Sequence, residues 1–272
     1  MIVVNGRIQD SIPVTDRGLQ YGDGLFETIA LRDGSPRHFD RHLRRLALGC
    51  DRLSIPFPGV ECLMEDFSRL TIPAVAAVLK IIVTRGSGGR GYRPPESVRP
   101  TRILSISEWP DYPAANTHAG VVVRMCAARL ARNPALAGLK HLNRLEQVMA
   151  RREWHDPAVS EGLMLDTSGL IIEGTSSNLF VLYGRTVATP DLSYSGVSGI
   201  TRERVMEVCR QAEIPLVVRD LSLEDLRNAD ELFLTNSIFG VWPVREIQGL
   251  RVFPGWPMVA KIQRLLGEAG AI

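Results

Sequence analysis

Apolar positions change period repeatedly along this chain. Ile2-Val3-Val4 followed by Asn5-Gly6 reads as a strand running into a tight turn. Apolar residues then recur at 39, 43, 46, 50 and 53, the spacing of one helix face, with Asp40 placed to cap the helix start. Residues 78–84 and 102–106 are β-rich runs bounded by glycine or proline, and 121–126 is a third. Leu142, Leu145 and Met149 follow helical spacing, Asp166-Thr167-Ser168-Gly169 marks a hairpin, and 201–212 reads as a helix. Ser222 with Asp225 resembles a capping box, 231–235 is strand-like, and 258–266 is a final amphipathic helix. Strand and helix periods alternate from end to end without repeats. Both lapse over 108–116, where Pro110, Pro113 and small residues interrupt them. Two α/β domains are therefore expected: a smaller one over 1–110, a linker over 111–118, and a larger, cofactor-binding one over 119–272.

Composition narrows the class. A chain of 272 residues, 45% hydrophobic and 23% charged, is long enough to bury a sizeable core. Basic and acidic residues number 32 and 30, a net charge of +2, and the basic ones are dispersed, which argues against a nucleic-acid partner. Cys50, Cys62, Cys126 and Cys209 form no CxxC pair and fit neither a zinc site nor a disulfide framework, so reduced thiols and no metal are expected. The start lacks a basic segment followed by a long apolar one, and the longest greasy stretch, 72–83, is broken by Pro73 and Lys80. A cytoplasmic protein without membrane contact is the expectation.

Three short segments carry the chemistry. Lys140 lies in Gly138-Leu139-Lys140-His141-Leu142-Asn143, Glu173 follows Ile171-Ile172, and Ser195-Gly196-Val197-Ser198-Gly199 leads into Ile200-Thr201. Taken singly, each has an ordinary reading: a solvated lysine, a strand-ending carboxylate, a loop-to-helix junction. Together they supply what pyridoxal 5'-phosphate requires. A lysine among apolar neighbours gives up its charge more easily, an acid holds the ring nitrogen protonated, and free helix-start amides bind phosphate. Arg45, on the face of the helix starting near Asp40, is placed to offer a counter-charge, with a solvated surface arginine the ordinary reading of Arg41, Arg44 and Arg45 alike. Gly86-Ser87-Gly88-Gly89-Arg90-Gly91 matches the dinucleotide spacing GxGxxG, yet it runs into Tyr92-Arg93-Pro94-Pro95 rather than a helix, so a nicotinamide site is not expected. Arg90 and Tyr92 instead suit recognition of a substrate carboxylate.

These segments, with Asp16-Arg17-Gly18-Leu19-Gln20-Tyr21-Gly22-Asp23-Gly24-Leu25-Phe26-Glu27, His42-Leu43-Arg44-Arg45-Leu46 and Glu161-Gly162-Leu163-Met164-Leu165-Asp166, resemble the fold type IV pyridoxal-phosphate enzymes. That family comprises branched-chain and D-amino acid aminotransferases and aminodeoxychorismate lyases, and the likeness covers nearly the whole chain. The segments 85–92 and 140–147 look most like the lyase branch. The resemblance implies a two-domain α/β (α+β) fold with the active site between domains, completed by the second subunit of a homodimer. It implies that Lys140 is the Schiff-base lysine and Glu173 the ring-nitrogen partner. Arg45, Ile200, Thr201 and Ser237 would hold the phosphate, and Asn178 would join the cofactor set. Ser237 stands where transaminases of the family carry threonine. Phe26, Arg90 and Tyr92 would meet the small-molecule substrate, and Trp109, where a lyase relative has tyrosine, receives no role. The implied reaction is cleavage of 4-amino-4-deoxychorismate to 4-aminobenzoate and pyruvate, with amino-group transfer as the alternative.

Overall fold

The computed structural model describes residues 1–269. It divides into two compact units, Met1–Pro110 with Leu139–Asn143, and Asp111–Gly138 with the chain from Arg144 onward. The lysine segment thus belongs to the first unit, although it lies in the sequence span of the second.

The first unit comprises β1 (Ile2–Val4), β2 (Arg7–Ile8), α1 (Arg17–Tyr21), β3 (Gly24–Arg32), β4 (Ser35–Pro36), α2 (Phe39–Arg52), α3 (Val60–Ser68), β5 (Ala77–Thr84) and β6 (Thr101–Glu108). Its strands form an antiparallel six-stranded sheet in the order β2-β1-β6-β5-β3-β4. Asn5 and Gly6, with φ of +49° and +78°, make the expected tight turn between β1 and β2. β3 and β5 pair from Gly24↔Thr84 to Leu31↔Ala77, and α2 lies against β3 with Leu43, Leu46 and Cys50 buried. Burial of each such leucine contributes about 2 kcal/mol. The α2 start differs from expectation. Its N-cap is His38, in the left-handed region at φ 51°, and Asp40 sits inside the first turn. There its charge complements the helix dipole instead of capping a free amide.

The second unit comprises α4 (Ala115–Ala119), β7 (Val121–Leu130), α5 (Leu145–Arg151), β8 (Val159–Asp166), β9 (Ile171–Gly174), β10 (Asn178–Tyr183), β11 (Thr186–Pro190), α6 (Ile200–Gln211), β12 (Leu216–Arg219), α7 (Leu223–Asn228), β13 (Glu231–Asn236), β14 (Gly240–Ile247), β15 (Arg251–Val252) and α8 (Pro257–Glu268). Its nine-stranded sheet runs β12-β11-β10-β13-β14-β7-β8-β9, with β15 on β14. A further pairing of β9 with β10 at Glu173↔Asn178 brings the sheet back on itself, so β10, β13, β14, β7, β8 and β9 form a closed ring. Leu179-Phe180-Val181-Leu182 is apolar throughout because both faces of β10 are covered. Leu179 and Val181 pack with Leu163, Leu232 and Leu234. Phe180 and Leu182 pack with Phe233 under Val205 and Val208 of α6 and Val259 and Ile262 of α8. The Phe180 and Phe233 rings stack at 4.8 Å.

Residues 111–119 lie in the second unit, where the Tyr112 ring meets Trp242 edge-on at 4.9 Å. The capping box of Ser222 and Asp225 opens α7 as expected. Leu142, expected within a helix, precedes α5, because its N–H is committed to the Gly24 carbonyl at 3.0 Å. Among the described residues no helix is long and apolar enough to cross a membrane.

Candidate functional site

Lys140 rides on an extended segment added to β3. Phe26 N–H donates to the Lys140 carbonyl at 2.9 Å, and Leu25 and His141 form an antiparallel bridge. Two glycines make room for it. A Cβ on Gly24 would lie 2.5 Å from the Val83 carbonyl and 2.8 Å from Leu142 Cδ1. Gly22, at φ +66°, faces Asn143, whose side-chain amide donates to the Gly22 carbonyl at 3.2 Å. The string Tyr21-Gly22-Asp23-Gly24 is therefore a seat for the lysine segment. Lys140 Nζ stands over the Phe26 ring, 4.3 Å from its centre, in cation–π geometry.

Beyond Phe26, the fully buried Glu27 accepts hydrogen bonds from His42 Nδ1 at 2.6 Å and from Arg45 Nε at 2.8 Å and Nη2 at 2.5 Å. Because a carboxylate only accepts, His42 carries its proton on Nδ1. Burial works against the Glu27 charge, but the Arg45 charge and the hydrogen bonds from His42 and Arg45 outweigh it, holding the carboxyl at about 2. Burial, with the charges of Arg45 and Lys140, pushes His42 below its ordinary value despite the pull of Glu27. The cluster is thus a carboxylate, a guanidinium and a neutral imidazole. Of the arginines on α2, Arg45 is the one Glu27 binds, and Arg44 is exposed.

Arg90 and Tyr92 are exposed on the loop between β5 and β6, which opens no helix. Trp109 carries the Arg32 guanidinium over its ring at 3.8 Å, a packing role.

In the second unit, Glu173 sits where β9 closes onto β10, only 4% exposed. Its carboxylate accepts from Val197 N–H at 2.8 Å and from the Asn178 amide at 3.4 Å, while the same amide donates to the Val197 carbonyl at 2.8 Å. Asn178 thus braces the acid against the glycine turn. Gly138 is tied to that turn as well: its N–H donates to the Gly196 carbonyl at 2.9 Å and its carbonyl accepts from Ser198 N–H at 3.1 Å. Lys140 follows two residues later in the chain.

Gly199 caps α6 in extended conformation with no side-chain hydrogen bond, and a Cβ there would overlap Asn178 Oδ1. Ile200 and Thr201 begin the helix, both buried. Arg202, next in line, donates to Thr189 Oγ1 at 3.2 Å and the Pro190 carbonyl at 3.0 Å. Burial lowers its pKa against the attraction of Asp191 and Glu173. Ser237 lies in the tight turn from β13 to β14, where Asn236 Oδ1 accepts from Ile238 and Phe239 N–H, each at 2.9 Å.

The first unit therefore gathers Lys140 with Phe26 and sets Arg45 beside Glu27, while Arg90 and Tyr92 stand on a loop of the same unit. The second gathers Glu173 with Asn178 and the α6 start, and carries Ser237 on a separate turn. Sequence reasoning assigned no role to Glu27, His42 or Glu161. Glu27 was signalled by one charge inside the apolar run 25–31. Glu161, 3% exposed, accepts from Ser176 N–H at 3.1 Å, Ser176 Oγ at 2.8 Å and Ser177 Oγ at 3.0 Å, fixing the turn between Glu173 and Asn178. In the second unit, a carboxylate oriented by neutral donors and an uncapped helix start with a buried threonine suit a protonated pyridine ring and a phosphate, and in the first the Lys140 primary amine suits an aldehyde.

Comparison with known proteins gives the same direction. The sequence pattern of the amino-transferase class IV family matches residues 24–247. An aminodeoxychorismate lyase of Vibrio harveyi is 36% identical over 268 residues, spanning 98% of this chain and 99% of the relative. The crystal structure of 4-amino-4-deoxychorismate lyase from Pseudomonas aeruginosa superposes with a TM-score of 0.94 at 45% identity, covering 100% of both chains. A putative branched-chain-amino-acid aminotransferase of Methanocaldococcus jannaschii is 32% identical across 91% of this chain and 88% of its own length.

Proposed function

The chain belongs to the amino-transferase class IV family, and from that premise we propose that it is a pyridoxal-phosphate-dependent lyase converting 4-amino-4-deoxychorismate into 4-aminobenzoate and pyruvate. The observation that carries this reading is the end-to-end likeness to a lyase of that name at 45% identity, in a chain that keeps both the seated lysine and the braced acid.

Lys140 is the amine that would hold the cofactor. Glu173 would face the ring nitrogen, and the Ile200 and Thr201 amides, with Arg45 and Ser237, would hold the phosphate. The residues fit the group: α6 starts without a side-chain cap, and Gly199 leaves no room for a Cβ that would compete. Bound there, the cofactor supplies an electron sink for charge developing on the substrate carbon that bears nitrogen. Lys140 Nζ takes the proton from that carbon and returns one to the departing three-carbon fragment, and aromatisation of the remaining ring drives the cleavage. The Phe26 ring face stabilises the lysine in its protonated phase. Glu173, oriented by Val197 N–H and the Asn178 amide, would keep the ring nitrogen protonated. Arg90 and Tyr92 would take a substrate carboxylate.

A homodimer belongs to the same proposal. Leu145, Val148 and Met149 of α5 lie one turn apart and are 70%, 54% and 55% exposed in the isolated chain, an apolar stripe suited to a second copy.

The test is incubation with freshly made 4-amino-4-deoxychorismate, following 4-aminobenzoate and pyruvate together. Equimolar release is expected, and Lys140→Ala should lower the rate by at least roughly 10⁴-fold. Release of neither product from protein that binds pyridoxal phosphate, with amino-group transfer to an oxo acid instead, would replace the lyase by a transaminase.

A further inference from the structure

Two sequence features find no use in the proposed chemistry: Asp16-Arg17-Gly18 and the glycines that precede and follow Arg90, Gly86, Gly88, Gly89 and Gly91. The structure joins them through one side chain. Arg17 is 3% exposed, an uncommon position for arginine. Its Nε donates to Asp23 Oδ2 at 2.9 Å, its Nη1 to the Gly91 carbonyl at 2.9 Å, and its Nη2 to the Tyr92 carbonyl at 2.9 Å. Backbone bonds hold the root of the loop, Arg17 N–H to the Gly86 carbonyl at 2.9 Å and Gly88 N–H to the Thr15 carbonyl at 3.2 Å. Gly88 also clears the path of the arginine, since a Cβ there would lie 2.9 Å from Arg17 Cδ. At the far end, the Tyr92 ring meets Tyr21 edge-on at 5.5 Å, and the Arg17 guanidinium covers Tyr21 at 4.8 Å.

The anchor is itself fixed. Asp23 accepts from Arg85 Nε at 2.7 Å and Nη2 at 3.0 Å, and Arg85 continues to the Ser54 and Leu53 carbonyls at 2.7 Å each. Asp23 therefore carries two guanidinium groups and cannot swing with the loop. Tyr92 is 85% exposed and Gly91 sits at φ +92°, so the loop tip has little packing of its own. Its conformation depends on carbonyls received by a buried, pre-oriented fork.

We propose that Arg17 is the positioning residue that sets the Arg90–Tyr92 loop for the substrate. This rests on the reading above that Arg90 and Tyr92 meet a substrate carboxylate. Arg17 itself touches no substrate; it fixes the loop backbone that aims those two side chains. Among those glycines, Gly88 is the one that makes room for this fork, and Gly86 and Gly91 sit at φ +83° and +92°, so these three have structural uses without a dinucleotide.

The experiment compares Arg17→Met, Arg17→Lys, Gly88→Ala and Arg90→Ala holoenzymes. For each, KM, kcat and the cofactor absorbance are measured, with amide hydrogen exchange of the 87–95 peptide in the absence of substrate. Arg17→Met should raise KM about tenfold or more while kcat changes by less than about threefold, the pattern of lost substrate positioning. Its absorbance should be unchanged and its loop exchange faster by roughly tenfold. Arg17→Lys, which keeps the charge without the fork, should restore less than half of the KM effect. Gly88→Ala, which leaves Arg17 in place but crowds it, should shift KM and exchange in the same direction by smaller factors, and covers the case in which Arg17→Met fails to fold. Loop exchange at the wild-type rate in Arg17→Met or Gly88→Ala overturns the tether. Faster exchange with KM unchanged in both Arg17→Met and Arg90→Ala supports the tether and overturns the substrate role of the loop.

Discussion

Glu27 in the first unit and Glu173 in the second mark two modes of holding a carboxylate, by guanidinium groups or by neutral donors. Each unit also uses the other mode: Asp16 takes Gly18 N–H and Thr84 Oγ1, and Asp166 is gripped by Arg132. In the first unit, Glu27 and Asp23 are each gripped by guanidinium groups: Arg45 on one, Arg17 and Arg85 on the other. In the second, Glu173 takes Val197 N–H and the Asn178 amide, Glu161 takes hydroxyls and amides of the 175–177 turn, and Glu231 takes Met258 and Val259 N–H at the start of α8. Guanidinium pairs cancel charge and fix geometry at once. Neutral donors orient a carboxylate and leave its charge available for a cation that arrives later. A residue proposed to face a protonated ring nitrogen is suited by donors of the second kind, and Val197 N–H and the Asn178 amide supply them to Glu173. Arg45 needs to stay put on its helix, and Glu27 gives it the first.

The contrast breaks hardest at Glu27. Glu27→Ala removes the carboxylate shared by the partly buried Arg45 and the fully buried His42 and should cost about 3–5 kcal/mol of stability, read from urea unfolding of the holoenzyme. Cofactor affinity should fall with it, since Arg45 loses the orientation from which it would meet the phosphate. Stability within about 1 kcal/mol of wild type would mean that Arg45 is held by other contacts.

Glu173→Gln should do the reverse. The amide is isosteric, so folding and cofactor content are expected to hold. Turnover should drop by about 10²–10³-fold, because the negative charge proposed to face the ring nitrogen is gone. The absorbance of the bound cofactor should respond while the unfolding curve does not. An unaffected rate would remove Glu173 from the chemistry.

How far these arrangements were legible in the sequence follows from what each depends on. α2, α6, α8 and the capping box at Ser222 were readable because helix period and cap chemistry are local signals. The seat of Lys140 was not. It arises because residues 139–143 pair with β3, more than a hundred positions earlier, and no window of sequence contains both partners. The same long-range pairing removed Leu142 from its expected helix and left Leu145 and Met149 exposed. Closure of β9 onto β10 is likewise invisible to periodicity, though it is what puts Asn178 opposite Glu173. Roles for the lysine, acid and glycine turn came from the chemistry they supply together, and the resemblance to a family gave the same assignment. The supporting residues Glu27, Arg17 and Glu161 stood in the quoted motifs without a role, since a buried charge is interpretable only once its partner is known.

Acid should separate the two modes further, and the sign can be worked out for each group. The folded Glu27 carboxyl sits at about 2, below its ordinary 4.5. Its stabilisation is therefore complete above about 4.5 and is lost as pH falls toward 2, because the unfolded chain takes the proton first. His42 is also depressed below its ordinary 6.5. As pH drops through 6.5 the unfolded histidine gains a proton while the folded one stays neutral, so stability begins to fall there. One such group sets a limiting slope of about 1.4 kcal/mol per pH unit. Wild-type urea midpoints should hence decline between pH 6.5 and 5.5, well before any carboxylate titrates. His42→Asn keeps an N–H for Glu27 but cannot take up a proton, so its midpoints should be nearly flat over that interval and then fall below about 4.5 in parallel with wild type. A variant that kept the wild-type slope from 6.5 to 5.5 would assign the acid sensitivity elsewhere and leave the Glu27 cluster as a purely ionic pair with Arg45. A flat interval would instead make His42, neutral in the folded cluster and protonated in the unfolded chain, the source of the acid sensitivity.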